Sequence, residues 1–127
     1  MCSSDLGLKA GQRVWFDAMP ASVREEIAPA ALGLVELDAP GKGMDGAHIF
    51  AARRTDLADR LTALRHEIAA DDFVWASWPK KAAKVSTDIT EDTIREVALP
   101  MGYVDIKVCA VDPVWSGLKL VIRRDQR

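Results

Sequence analysis

The chain predicts an α/β fold: one three-layer sandwich, its sheet mostly parallel, with an antiparallel strand pair at the carboxyl end. Three observations predict it. Strand and helix patterns alternate along the 127 residues, in the order strand, helix, strand, strand, helix, strand, helix, strand, strand. The run F-V-W-A-S-W, residues 73–78, lacks polar alternation, as a strand covered by helices on both faces does. The last two strand patterns are joined by too few residues for a parallel crossover, so they are antiparallel neighbours.

Each element has its own signal. R-V-W-F-D, residues 13–17, is a short apolar strand entered from a glycine turn at Gly11. Residues 19–28 read as a helix, with Pro20 in the first turn, Ser22 and Glu25 at capping spacing, and Val23 and Ile27 one turn apart. Pro29 stops it. Residues 34–38 form a second strand, A-P-G-K-G-M-D-G a loop, and residues 47–51 a third strand. The clearest helix spans 56–70, where Leu57, Leu61, Leu64 and Ile68 make one stripe with Asp59, Arg60, Arg65 and Glu67 off it. D-I-T-E, residues 88–91, has capping-box spacing and opens a helix that turns Ile94, Val97 and Ala98 inward and closes near Pro100 to Gly102. Residues 104–111 and 118–122 are the last strands, with Val104, Ile106, Val108 and Ala110 expected on one face. This ending is similar to that of Rossmann-like methyltransferases, a likeness of fold that carries no function by itself.

The bulk properties exclude several classes. A net charge of -2 gives no global basic field for nucleic acid or an anionic membrane, so any anion binding must be local. No apolar run approaches the roughly 18 residues of a membrane span. Cys2 and Cys109 make no C-x-x-C spacing, and His48 and His66 are far apart, so neither a zinc site nor any other cofactor is expected. A reducing cytoplasm is the expected setting. Residues 125–127 are a short tail. M-C-S-S-D-L, residues 1–6, is what the end of a common sequencing adapter, GTG-TGC-TCT-TCC-GAT-CT, would encode. An adapter artefact is therefore expected there, with the natural amino terminus missing and one domain over residues 7–124.

Four strings carry a resemblance: L-G-L-K-A-G-Q-R-V, then W-A-S-W-P-K-K, then T-D-I-T-E-D-T-I-R-E, then G-Y-V-D-I-K-V-C-A-V-D-P-V-W-S-G-L-K. Together they resemble DUF3052, a bacterial family of unknown function. The likeness runs from about Leu6 to Arg124 and is closest in the second half. It implies a Rossmann-like domain and supplies no activity.

Reactive chemistry finds little support. A methyltransferase loop after the first strand offers an acid and glycines that let the backbone approach its cofactor. Here it reads Asp17-Ala-Met-Pro20, without glycine, although Glu36 or Asp38 stands where a ribose ligand would be met. Ser77 and Ser116 lack a G-x-S-x-G context. His48 reads as a strand or loop histidine, His66 as an exposed helix histidine, and Cys109 as a packed thiol.

The remaining candidate is the loop after the fourth strand. Ligands of open α/β sheets sit outside the carboxyl ends of the strands. If the first, fourth and penultimate strands are parallel, Asp17-Ala-Met-Pro20, Trp78-Pro-Lys-Lys81 and Asp112-Pro-Val-Trp-Ser-Gly117 share one edge. Lys80, Lys81 and Lys84 then supply positive charge, Ser116 a hydrogen bond, and Trp78 or Trp115 a wall, while Thr87 or Asp88 caps a helix start that favours an anion. These residues point to a small binding or regulatory module for a phosphate or carboxylate. The plainer reading is a solvated lysine loop, two core tryptophans, and Trp115-Ser-Gly117 as a tight turn with Gly117 in an unusual dihedral and Asp112 paired with a lysine. A methyltransferase-type enzyme and a protein-interaction module using the tryptophan edge are the rivals.

Overall fold

In the computed structural model, residues 11–17, 19, 21–27, 33–37, 44–68, 72–80, 87–111 and 114–122 are described. They contain six strands: β1 (Arg13–Asp17), β2 (Val35–Leu37), β3 (Gly46–Phe50), β4 (Phe73–Pro79), β5 (Tyr103–Ala110) and β6 (Trp115–Ile122). Three helices accompany them: α1 (Ala21–Ile27), α2 (Arg54–Glu67) and α3 (Glu91–Ala98), the last running into a 3-10 turn, Leu99–Met101. The sheet order is β2-β1-β3-β4-β6-β5. The first four strands are mutually parallel; β6 runs antiparallel to both β4 and β5. The expected Rossmann-like sheet with its antiparallel carboxyl end is therefore the fold.

Apolar placement explains the layers. All seven residues of β4 are buried, which is why that strand shows no polar alternation. Its even-numbered side chains, Val74, Ala76 and Trp78, join Ala47, Ile49, Leu118 and Leu120 in a core on the face covered by α2 and α3. Leu57, Leu61 and Leu64 of α2 and Ile94, Val97 and Ala98 of α3 are buried there, as their spacing predicts. Each such leucine or isoleucine contributes roughly 1.5–3 kcal/mol by leaving water. Tyr103 fixes the seam by donating its hydroxyl to the Leu61 carbonyl at 2.8 Å, and burial raises its pKa. The opposite face carries Val14, Phe50, Phe73 and Trp75, with Val23 of α1 and Val111 against them.

Three local expectations are corrected. The N-cap of α3 is Thr90, not Thr87 or Asp88: its hydroxyl accepts from the Thr93 amide, and Thr93 reciprocates on the Thr90 amide. The α2 helix starts at Arg54, two residues earlier than the leucine stripe suggests. Between Asp105 and Lys107 the β5–β6 register shifts, so Asp105 lies opposite Leu120 and Lys107 opposite Lys119. This bulge adds a residue and breaks the alternation. Val104 therefore shares the face of Val121, whereas Val108 shares that of Leu118, and the four residues do not line one face.

Candidate ligand edge of the sheet

Because β5 is antiparallel to β6 and β6 to β4, the strands β1, β3, β4 and β5 all end at one edge of the sheet, where β6 begins. Asp17, Phe50, Pro79 and Ala110 are the terminal residues, and Trp115 is the first of β6. The edge is stitched by backbone bonds: Lys80 N–H to the Val114 carbonyl (2.7 Å), Val111 N–H to Trp115 (2.9 Å), and Ala51 N–H to Ser77 (3.0 Å).

Of the residues expected at the site, Lys80, Trp115 and Ser116 meet at this corner. Trp78 and Ser116 are register partners and so share the face of α2 and α3, where Trp78 is buried in the core. Trp115 pairs with Pro79 and lies on the other face, its ring edge-on to Phe50 at 5.3 Å. The two tryptophans thus stand on opposite sides of the sheet and form no common wall. Gly117 lies inside β6, not in a turn, and its dihedral is not among the positive ones. Its lack of a side chain serves close packing: a Cβ there would stand 3.0 Å from Val111 Cγ2 and 3.1 Å from both Ser77 Oγ and the Trp75 ring. Lys81, Lys84, Asp112 and Asp38 lie outside the described residues.

Thr87 and Asp88 do local structural work at the edge. The Thr87 hydroxyl donates to the Ala52 carbonyl at 2.7 Å and accepts from the Ile89 amide at 3.1 Å. The Asp88 amide reaches the Ala52 carbonyl at 3.2 Å, and its carboxylate accepts from the Arg54 amide at 2.7 Å. Asp88 therefore caps α2, across 34 residues of chain, where the N-cap residue Arg53 contributes no side-chain bond. The starts of α2 and α3 already hold their own acceptors, so at those two helices the case for an anion passes from helix amides to cationic side chains.

Those cations are more numerous than the lysine loop suggests. Arg53 and Arg54 follow β3, Lys80 follows β4, and β3 and β4 are neighbours in the sheet, although Arg54 Nη1 is paired with Glu96 at 3.1 Å. The signal was legible as A-A-R-R-T directly after a strand; its significance depended on knowing which strand lies beside β4. At the end of β1, Asp17 accepts from Arg60 Nε of α2 at 2.6 Å, and that bond raises the Arg60 pKa. Glu36 of β2 is held by both guanidinium nitrogens of Arg24, at 2.7 and 2.8 Å, which lowers its pKa.

His48 is a strand histidine, fully buried in β3, and His66 is exposed on α2, both as read from the sequence. His48 Nε2 lies 2.6 Å from Ser77 Oγ, while its Nδ1 is buried with no hydrogen-bond partner. Phe50 stacks on its ring at 4.3 Å, and burial pushes its pKa down to about 3. Both side chains are buried, so this serine–histidine pair is not presented to a substrate. Among the described residues no group of three or more His, Cys, Asp or Glu could hold a metal ion, and no helix is long and apolar enough to cross a membrane.

No family model matches the chain, and no curated protein matches it. Solved structures do. Fibrillarin of Aeropyrum pernix, with natively bound S-adenosyl-L-methionine, superposes with a TM-score of 0.59 at 12% identity, over 94% of this chain and 73% of that one. The DhpI–SAH complex gives 0.62 at 12% identity, over 96% and 83%. A TehB-like SAM-dependent methyltransferase of Corynebacterium glutamicum gives 0.55 at 8% identity, over 95% and 85%. At such identities the likeness establishes the fold alone: a Rossmann-like sheet of the kind these structures share.

Proposed function

We propose that this chain is a small binding or regulatory module of the bacterial cytoplasm that holds a phosphate- or carboxylate-bearing ligand at the carboxyl edge of its sheet. The observation that carries this reading is the pair of neighbouring central strands, β3 and β4, that both run into cations: Arg53 after one, with Arg54 held by Glu96 beside it, and Lys80 after the other. Lys81 and Lys84 follow Lys80 in the chain, and Trp115 and Ser116 open β6 beside it. The edge is also where open α/β sheets bind ligands. A kinship with DUF3052 belongs to the same proposal and rests on the strings quoted above.

A thermal-shift series with inorganic phosphate, nucleotides and S-adenosylmethionine tests it. Phosphate at a hundred times its Kd should stabilise the parent by about 2.7 kcal/mol. Arg53→Ala/Lys80→Ala should lose that gain; equal stabilisation of variant and parent sinks the reading. The fold neighbours favour one second reading, a methyltransferase-type enzyme. Stabilisation by S-adenosylmethionine, unchanged in the double variant, would support it, although the segment after β1 has no glycine and Asp17 is engaged by Arg60.

A further inference from the structure

The segment that carries α3 is laced to the junction of β3 and α2. Thr87 Oγ1 donates to the Ala52 carbonyl at 2.7 Å, and the Asp88 amide reaches the same oxygen at 3.2 Å. The Asp88 carboxylate accepts from the Arg54 amide at 2.7 Å. These bonds all end on backbone groups and fix the path of the chain. A further bond joins side chains only: Arg54 Nη1 donates to Glu96, in the second turn of α3, at 3.1 Å. Arg54 is the first residue of α2, next to Arg53 at the edge where the phosphate is proposed to bind.

The grip on Glu96 is slight. Elsewhere among the described residues, Arg24 holds Glu36 with both terminal nitrogens at 2.7 and 2.8 Å, and Arg60 holds Asp17 at 2.6 Å. Arg95 serves three carboxylates, Glu91, Asp92 and Asp105. Arg54 meets Glu96 through one hydrogen bond, with the two side chains 51% and 63% exposed. A pair so open to water contributes little, because solvent screens the attraction and fixing two long side chains costs entropy. A guanidinium also carries several N–H donors in one plane, matched to the paired oxygens of a phosphate or carboxylate. A single bond to Glu96 uses a small part of that capacity. Exchange of Glu96 for an incoming oxyanion is therefore favoured once Arg53 and Lys80 hold that anion nearby.

We propose that Arg54 is a further ligand-binding residue of this edge, and that Glu96 is the internal carboxylate it releases to a phosphate group. The proposal rests on the edge reading above and adds to it a built-in competitor. Without ligand, Glu96 occupies Arg54 and lowers the affinity of the site. With ligand, α3 loses this tie to the start of α2, while the bonds of Thr87 and Asp88 keep the chain in place. Phosphate binding is thereby felt on α3.

The test titrates inorganic phosphate, at constant ionic strength, into nitrogen-15-labelled parent, Glu96→Gln, Arg54→Gln and the double variant. Glu96→Gln should bind phosphate roughly two- to fivefold more tightly than the parent, the worth of an exposed ion pair. Arg54→Gln should bind about tenfold more weakly, and adding Glu96→Gln to it should change nothing further. In the parent, saturation should move the Arg54 Nε–H signal and the Glu96 amide. Failure of the parent to bind, or binding indifferent to Arg53→Ala/Lys80→Ala, overturns the edge reading and this proposal with it. Phosphate binding that needs Arg53 and Lys80 but is unaltered by Arg54→Gln or by Glu96→Gln overturns this proposal alone. So does a gain from Glu96→Gln that persists without Arg54, which would make Glu96 a general repulsive charge.

Discussion

At the scale of single residues, His48 is the most exacting position. Its imidazole is held neutral by burial, with a folded pKa of about 3 against about 6.5 in an open chain. The unfolded chain therefore takes up the proton first as pH falls. Stability from this residue is complete above about pH 6.5 and declines by roughly 1.4 kcal/mol per unit below it, levelling only near pH 3. Urea unfolding at pH 7 and pH 5 should show a loss of about 2 kcal/mol, before most carboxylates begin to titrate. Replacing both partners, His48→Leu/Ser77→Ala, should flatten that window, whereas Ser77→Ala alone strands a buried nitrogen and costs about 1–3 kcal/mol. Gly46 makes a separate demand. A methyl group there would land inside the Phe73 ring, so Gly46→Ala should cost about 1–3 kcal/mol, and Phe73→Leu in the same chain should recover part of it in a double-mutant cycle.

At the scale of elements, helix ends separate what local pattern shows from what it hides. The α3 cap lies in sequence beside the helix it starts, and a capping signal was legible there, displaced by two residues because Thr93 takes the role usually given to glutamate. The α2 cap was not legible. Its acceptor, Asp88, is brought in by the loop beyond β4, and no spacing rule relates residues 54 and 88. Asp88→Ala should therefore weaken α2 rather than α3, by about 1 kcal/mol, with faster amide exchange at Arg54 and its neighbours; Asp88→Asn should retain most of the cap. If exchange rises in the first turn of α3 instead, this assignment is wrong. The β5 bulge was hidden for a related reason, since a break in register belongs to a strand pair and cannot be read from one strand's alternation.

At the scale of the whole molecule, element types and their sequence followed from periodicity: the leucine stripe of α2, the run of β4 without polar alternation, the short link before β6. Their arrangement side by side did not. That β3 and β4 are neighbours, and that their two cationic exits lie at one edge of the sheet, depends on pairings tens of residues apart. The same holds for Trp78 and Trp115, close along the edge yet divided by the sheet because their register partners alternate. The proposed anion site thus rests on topology, and the phosphate experiment on Arg53 and Lys80 probes topology as much as chemistry.

The sheet order has a consequence for how the chain is made. Among the described strands β6 comes last in sequence, yet it fills the place between β4 and β5. A nascent chain that has emerged only as far as Val114 holds a β5 without β6 beside it and a β4, apolar but for Ser77, whose flank on that side is open. Until β6 arrives, the nascent domain is a half-built sheet exposing its most sticky segment, and it is then that a chaperone would find most to hold.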